Sequence, residues 1–485
     1  MAVRAKRKAP KNKTATVIET VNPANGAKLA SYRLISWNEA SNVAEKARET
    51  FRQWRETKVS ERAEHLQALA KALRARKKDY ARIMTEEMGK PIVQSEAEVE
   101  KCAWTAEVFA DHAERWLADD PAKTDAAKSF VAFDPLGVIL SIMPWNFPFW
   151  QAFRSIIPVL LVGNTSILRH SNVCPGSALA IEESIMEAGF PQGSFRTIIS
   201  SHEVVSRLIE SDLIQGASLT GSVEAGRTIG EVAGRSLKPC VLELGGSDPF
   251  IVLGDASVKE AARVGAEARL INSGQSCIAA KRFIVAKSVA EEFTSTFVEE
   301  TAKKKVGDPM DRSTDVGPLV NRDAVKKLDS LARDAISKGA KALIRGGPRR
   351  GERGAYYDPA VLTHVTKKMR LMREEAFGPV APIFVVDSDE EAIAVANETE
   401  FGLGASLWTS NLQRGEELTH RIESGLVFIN ALVKSDPRIP FGGVKHSGVG
   451  RELAECGLKE FVDIKSVSVF NSESQKNAGA QGNVE

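Results

Sequence analysis

Strand-like apolar runs and amphipathic helical runs alternate through two long stretches of this chain, the pattern that parallel βαβ units require. In the first stretch FVAFDPLGVILSIMP, TSILRH, FRTIIS, GASLTG and CVLEL read as strands, with SALAIEESIMEAG and EAGRTIGEVAG as helices between them. In the second, PFIVLG, KRFIVA, IFVVDS, GASLWTS and GLVFIN read as strands, alternating with helices such as VAEEFTSTFVEETAKK and DEEAIAVANE. Gly245 and Gly246, just past CVLEL, mark the natural boundary. Residues 41–117 are mostly helical. There ERAEHLQALAKALRARKKDYARIMTEEMG has helical apolar spacing and a charged opposite face, so its leucines and methionines belong to a core. FVDIKSVSVF, near the end, reads as a strand that follows a helix and is free to pair outside its own domain. The fold class is therefore α/β.

A chain of 485 residues predicts two or three domains. The longest apolar runs, such as GVILSIMPW, are too short and broken to span a bilayer, and the start of the chain lacks a secretory pattern. Six of the 65 basic residues (Arg4, Lys6, Arg7, Lys8, Lys11, Lys13) lie in the first thirteen positions, leaving 59 bases against 63 acids. The basic character thus belongs to a tail, read as a solvated, disordered end over 1–16 rather than a nucleic-acid site. The last fifteen residues are polar and read as loose. Five cysteines, an odd count with no CxxC pair, argue against a disulfide framework or a metal site. They fit a reducing compartment, and a cytoplasmic location is expected. Cys102, Cys174 and Cys240 read as small core residues.

Three groups carry chemistry. Cys277 follows Gly274-Gln275-Ser276, a bend able to expose a thiol. Asn146 lies in MPWNFPFW after the strand GVILSI, and Pro144 and Pro148 stiffen its turn, which suits a fixed amide donor. Glu243 ends the strand PCVLELGG, where a carboxylate is costly unless paired or functional, and partial burial would raise its pKa towards that of a general base. Taken singly, each has a plain alternative: a structural cysteine, a turn asparagine bonded to its own backbone, a salt-bridged strand acid.

NSGQSC, LELGG, PWNFP and EEAFGPV, in this order and spacing, resemble the NAD(P)-dependent aldehyde dehydrogenase superfamily over about residues 17–470. The resemblance implies two doubly wound parallel-sheet domains plus a small β extension that pairs between subunits. It implies a dinucleotide-binding domain over 17–117 and 138–245, and a catalytic domain over 246–440. Oligomerisation or bridging segments fall at 118–137 and 441–485, giving a homodimer or homotetramer. Cys277 would be the nucleophile, Asn146 with the Cys277 amide the oxyanion hole, and Glu243 the water-activating base. NAD or NADP would be held by Trp145, Arg169, Asn172, Gly221, Ser222, Glu375 and Phe377. Gly221 and Ser222 open a helix that can face a phosphate, and Gly226 allows close packing. Arg169 stands where the family usually has lysine, and Asn172 replaces a glutamate found in many NAD-preferring members. A neutral residue beside an arginine does not repel a 2′-phosphate.

KSDPRIPFGGVKHSGVGREL and GQSCIAAKRFIV look most like succinate-semialdehyde dehydrogenases. By that resemblance Arg154 and Ser435 would bind the substrate's distal carboxylate. A second arginine, six residues before the nucleophile in some members, is replaced by Ile271, and a second cysteine two residues after it by Ala279, so no vicinal disulfide is expected. The alternatives are a broad aliphatic aldehyde dehydrogenase, a CoA-acylating enzyme, which usually lacks the Glu243 carboxylate, and a non-catalytic protein on the same fold.

Overall fold

The computed structural model describes residues 17–472. The basic segment 1–16 and all but the first two residues of the polar end lie outside the described residues. Three sheets of three or more strands organise the described chain.

The first sheet is built on Val138–Met143, with Thr165–His170 and then Phe195–Thr197 on one side, Gly216–Thr220 and then Cys240–Glu243 on the other. These pair in parallel. Gly448–Val449 adds an antiparallel edge beside Leu242 and Glu243. The chain order reverses between Val138–Met143 and Gly216–Thr220. A crevice beyond the carboxyl ends of such strands is where open α/β sheets receive ligands. PWNFP follows one of these strands and Thr220-Gly221-Ser222 the other. Both strands are buried along their whole length, as strands covered by helices on both faces must be.

The second sheet runs Lys341–Ile344, Ala360–Thr363, Val380–Val386, Arg282–Ala286, Pro249–Val252, Gly404–Trp408, Leu426–Ile429 in space, parallel except for the first strand. The short link Leu244–Asp248, with its two glycines, joins the two sheets. A Cβ on Gly246 would lie 2.6 Å from the Cys277 carbonyl oxygen, so this crossover fits only glycine.

FVAFDPLGVILSIMP divides into two strands in different sheets. Lys128–Pro135 belongs to a three-stranded antiparallel sheet, and the chain leaves it at Gly137, whose φ of +145° is open to glycine alone. Val462–Val469 pairs along the whole of Lys128–Pro135 as an edge strand, with Ile464, Val469 and Phe470 exposed. The helical region is Trp37–Trp54, Val59–Ala75, Lys77–Met88 and Ile92–Trp116. Arg76 breaks the run read as one helix, its guanidinium held by Glu183 and Glu187. Leu66, Leu69, Leu73, Met84 and Met88 are fully buried as expected.

Candidate active site

The loop that carries Cys277 is built from unusual backbone. Asn272 (φ 50°, ψ 40°) and Ser273 (φ 56°, ψ 28°) are left-handed, and Gly274 continues at φ +76°. Asparagine and glycine tolerate this region better than most residues. The loop is pinned on every side. Asn272 Nδ2 donates to the carbonyls of Asn146 (2.6 Å) and Gln275 (3.1 Å). Asn146 Nδ2 donates to the Gln275 carbonyl at 3.2 Å, so the two motifs are stitched together by reciprocal amides. Gln275 Oε1 accepts from Val320 N, and Ser273 Oγ donates to the Gly317 carbonyl. Behind the loop, buried Arg269 donates to the carbonyls of Ala280 and Gly274, and Lys281 Nζ to those of Ser276 (2.8 Å) and Cys277 (2.6 Å).

The turn bearing Asn146 is set by the helix it leads into, Pro148–Val162. Glu98 Oε1 accepts from the amides of Phe149 and Trp150, both at 2.9 Å, and Glu98 Oε2 pairs with buried Lys90. A carboxylate on free amides at a helix start satisfies both the orphan donors and the helix dipole.

Cys277 stands where two cavities meet. One, about 230 Å³, is walled by Phe147, Trp150 and Phe441 and carries Lys101, Arg154 and Ser435. The other, about 320 Å³, is walled by Trp145, Asn146, Gly221, Ser222, Glu375 and Phe377. Cys277 and Gln151 line both. Burial pushes the thiol up to about 12, against the pull of the Arg154 and Lys281 charges. Free of a partner thiol, it is the least enclosed of the cysteines near this crevice, since Cys174, beside Trp145, is fully buried.

Glu243 does not line either cavity. It is 1% exposed, close behind Gly442, where an added Cβ would lie 2.8 Å from its Oε1. Burial pushes it up to about 8, opposed by Arg154 and reinforced by Glu452. Arg154 does line the first cavity, yet it is engaged. Its Nε lies 2.5 Å from Glu452 Oε2 as an ion pair without hydrogen-bond alignment, and its guanidinium sits 4.4 Å over the Phe441 ring. Ser435 Oγ accepts from Lys101 Nζ at 2.5 Å. Arg438, near Ser435 in sequence, turns outward to Asp436.

The second cavity is bordered by the start of a helix and by two aromatic rings. Ser222 caps the helix Val223–Arg235, accepting from Ala225 N. Gly226 packs on Leu244, where an added Cβ would approach to 2.6 Å. Trp145 meets the edge of Phe377 at 5.7 Å between ring centroids. Glu375 Oε1 accepts from Gly246 N at 3.1 Å and faces Lys281 at 3.4 Å. Arg169 and Asn172 are not on this cavity's wall. They sit together at the end of Thr165–His170, Arg169 donating to Asn172 Oδ1 at 2.9 Å. Arg169 Nε and Ser200 Oγ, both buried, have no hydrogen-bond partner. Orphan donors beside an arginine are what a phosphate would satisfy.

Lys101, Gln151, Asn272, Lys281 and Glu452 escape sequence reasoning. Lys101 and Gln151 lie on helices where a polar residue reads as surface, and Glu452 reaches Arg154 only through the folded chain.

Residues 10–467 match the model of the aldehyde dehydrogenase family. A probable succinate-semialdehyde dehydrogenase [NADP(+)] of Synechocystis is 48% identical over 93% of this chain and 99% of its own length. A succinate semialdehyde dehydrogenase [NAD(P)+] of Escherichia coli is 42% identical over 93% of this chain and 98% of its own. The crystal structure of succinic semialdehyde dehydrogenase from Streptococcus pyogenes, in complex with NADP+, superimposes with a TM-score of 0.91. It is 36% identical and covers 94% of this chain and 100% of that one. The αβ architecture, the thiol where two cavities join and the match along nearly the whole chain agree: this protein belongs to the aldehyde dehydrogenase family.

Proposed function

We propose that this protein oxidises succinate semialdehyde, or a related ω-carboxy aldehyde, to the acid with NADP+, NAD+ being the second candidate. One observation carries the reading: Cys277 stands between an aromatic cavity with a basic end and a separate cavity bordered by a capped helix start. The relatives' names support the substrate class and the cofactor.

Cys277 gives up its thiol proton to solvent, and the thiolate Sγ adds to the aldehyde carbon to give a thiohemiacetal oxyanion. Asn146 Nδ2, buried and already aimed at the loop, and the Cys277 amide hold that oxygen. A nicotinamide held in the second cavity would accept hydride from the thiohemiacetal carbon, which would leave a thioester on Cys277. Glu243 in its ionised form takes a proton from water, whose oxygen attacks the thioester carbon and frees the acid and the thiol. Its raised pKa makes it a usable base near neutral pH. Arg154 and Ser435 face the substrate's distal end. Glu375, Trp145 and Phe377 would hold the nicotinamide half and Gly221 and Ser222 the pyrophosphate, while Arg169 and Asn172, beyond that cavity's wall, would meet the ribose with its 2′-phosphate. Asn172, being neutral, leaves the Arg169 charge available.

The exposed edge strand Val462–Val469 supports assembly into a dimer or tetramer, and free thiols in all five cysteines support a cytoplasmic setting. The test is turnover by purified protein with succinate semialdehyde and hexanal, each with NADP+ and NAD+. Cys277→Ala must abolish cofactor reduction. Undiminished reduction by that variant would overturn the reading.

A further inference from the structure

Five cations stand in or around the aromatic cavity, and three are compensated. Arg154 has Glu452, Lys90 has Glu98, and Lys281 has Glu375 and two carbonyls. Lys101, on the helix Ile92–Trp116, has no carboxylate ion-pair partner among the described residues. Its Nζ is held at 2.5 Å from Ser435 Oγ and lies 4.2 Å from the Trp150 ring centroid. Both Lys101 and Ser435 are at the wall of the cavity that holds Cys277. Lys434, also at that wall, is exposed and solvated.

The donor arithmetic favours an anion. An ammonium has three donors and no acceptor. Ser435 Oγ takes one of them, which leaves its own O–H and the remaining ammonium protons to donate elsewhere. The Trp150 face steadies the cation without neutralising it. Burial and the nearby Arg154 charge push the ammonium down to about 8, a cost that an arriving carboxylate removes. Ile271, at the same wall, supplies no charge.

We infer that Lys101 is the cation that receives the distal carboxylate of the substrate, with Ser435 as its hydrogen-bonding companion, and that it sets the preference for ω-carboxy over neutral aldehydes. This rests on the ω-carboxy reading given above. Arg154, tied to Glu452, then acts through the field of the cavity rather than as the main ligand.

The experiment compares kcat/KM for succinate semialdehyde with that for hexanal in the wild type, Lys101→Met and Lys101→Arg. The wild type should prefer the acid aldehyde. In Lys101→Met the ratio of the two kcat/KM values should fall by about 10- to 100-fold, the size of one charged hydrogen-bonded contact. The loss should appear in KM for succinate semialdehyde rather than in kcat, and Lys101→Arg should restore part of it. A ratio unchanged in Lys101→Met overturns the inference, as does an equal loss on both aldehydes. If Lys101→Met does not fold, Lys101→Gln, which keeps the bond to Ser435 without the charge, takes its place with the same readout. A wild type that does not distinguish the two aldehydes instead overturns the ω-carboxy reading itself.

Discussion

Glu452 Oε2 lies 2.5 Å from Arg154 Nε, and neither side chain is more than 6% exposed. The two residues lie far apart along the chain, Arg154 in the helix Pro148–Val162 and Glu452 close to the C-terminal strand. Together with Glu243 they form a buried cluster of two carboxylates and one guanidinium, of which the Arg154 and Glu243 charges act on Cys277. Removing one partner of such a pair strands the other charge. Glu452→Gln should therefore destabilise the protein by about 3 kcal/mol, read as a lowered midpoint in denaturant unfolding. It should also lower the pKa of Glu243, because the Glu452 charge is one of the influences holding it up. A variant as stable as the wild type would show that the pair contributes nothing.

The pH dependence follows from Glu243. Burial holds it at about 8 against an ordinary 4.5, so its base form grows as pH rises through about 8. Where thioester hydrolysis limits turnover, kcat should climb over that window, and Glu243→Gln should lose most of kcat while keeping a stoichiometric burst of reduced cofactor. The same shift governs stability. The folded protein holds this proton more tightly than the unfolded chain. The stabilisation is complete below about pH 4.5 and is lost as pH rises through about 8. The melting temperature of Glu243→Gln should fall less steeply across that interval. Parallel melting curves for the two proteins would contradict the assignment.

Asn272 joins an otherwise unfavourable backbone to the oxyanion turn. It holds φ 50° and donates to the carbonyls of Asn146 and Gln275. Asn272→Ala adds backbone strain and removes both hydrogen bonds, at a cost of about 2–4 kcal/mol. Asn272→Gly relieves the strain and keeps the loss of the bonds. If the stitching between the two motifs matters to catalysis, both variants should lose kcat, with Asn272→Gly the more stable of the two in thermal melts. Recovery of full kcat in Asn272→Gly would mean that only the conformation matters.

What the chain reveals in advance is governed by distance along it. Cys277, Asn146 and Gly221 lie at strand ends or in tight loops, where the local motif fixes their placement, and the cavities gather them as the motifs imply. The parallel strands are equally legible, because burial on both faces writes continuous apolar runs. Contacts made by long polar side chains across the fold leave no such mark. Lys90 looks like a turn charge and Glu98 like a helix-surface one, yet both are buried and set the start of the helix that follows Asn146. Lys101 lies within a helical stretch, where nothing in its sequence neighbourhood marks it as facing a cavity. Glu243 ends its strand as expected, but its side chain is drawn to the side of Gly442 and Glu452, which only the late return of the chain at Gly448–Val449 brings there.

In the proposed reading, cofactor choice turns on Arg169 and Asn172. The guanidinium is nearly enclosed and donates to Asn172 Oδ1, and no carboxylate pairs with it among the described residues. A 2′-phosphate reaching this corner would meet an available cation and the unpartnered Ser200 hydroxyl. Asn172→Glu places a carboxylate where the amide oxygen now accepts from Arg169. It neutralises the arginine and repels the phosphate, so kcat/KM with NADP+ should fall by about 10- to 100-fold, while the new acceptor suits the free hydroxyls of NAD+. Arg169→Met removes the attraction without adding repulsion and should give the smaller loss. Both ratios come from initial rates with the two cofactors at a fixed aldehyde concentration. If Asn172→Glu kept its NADP+ efficiency, the 2′-phosphate would have to bind elsewhere in the crevice.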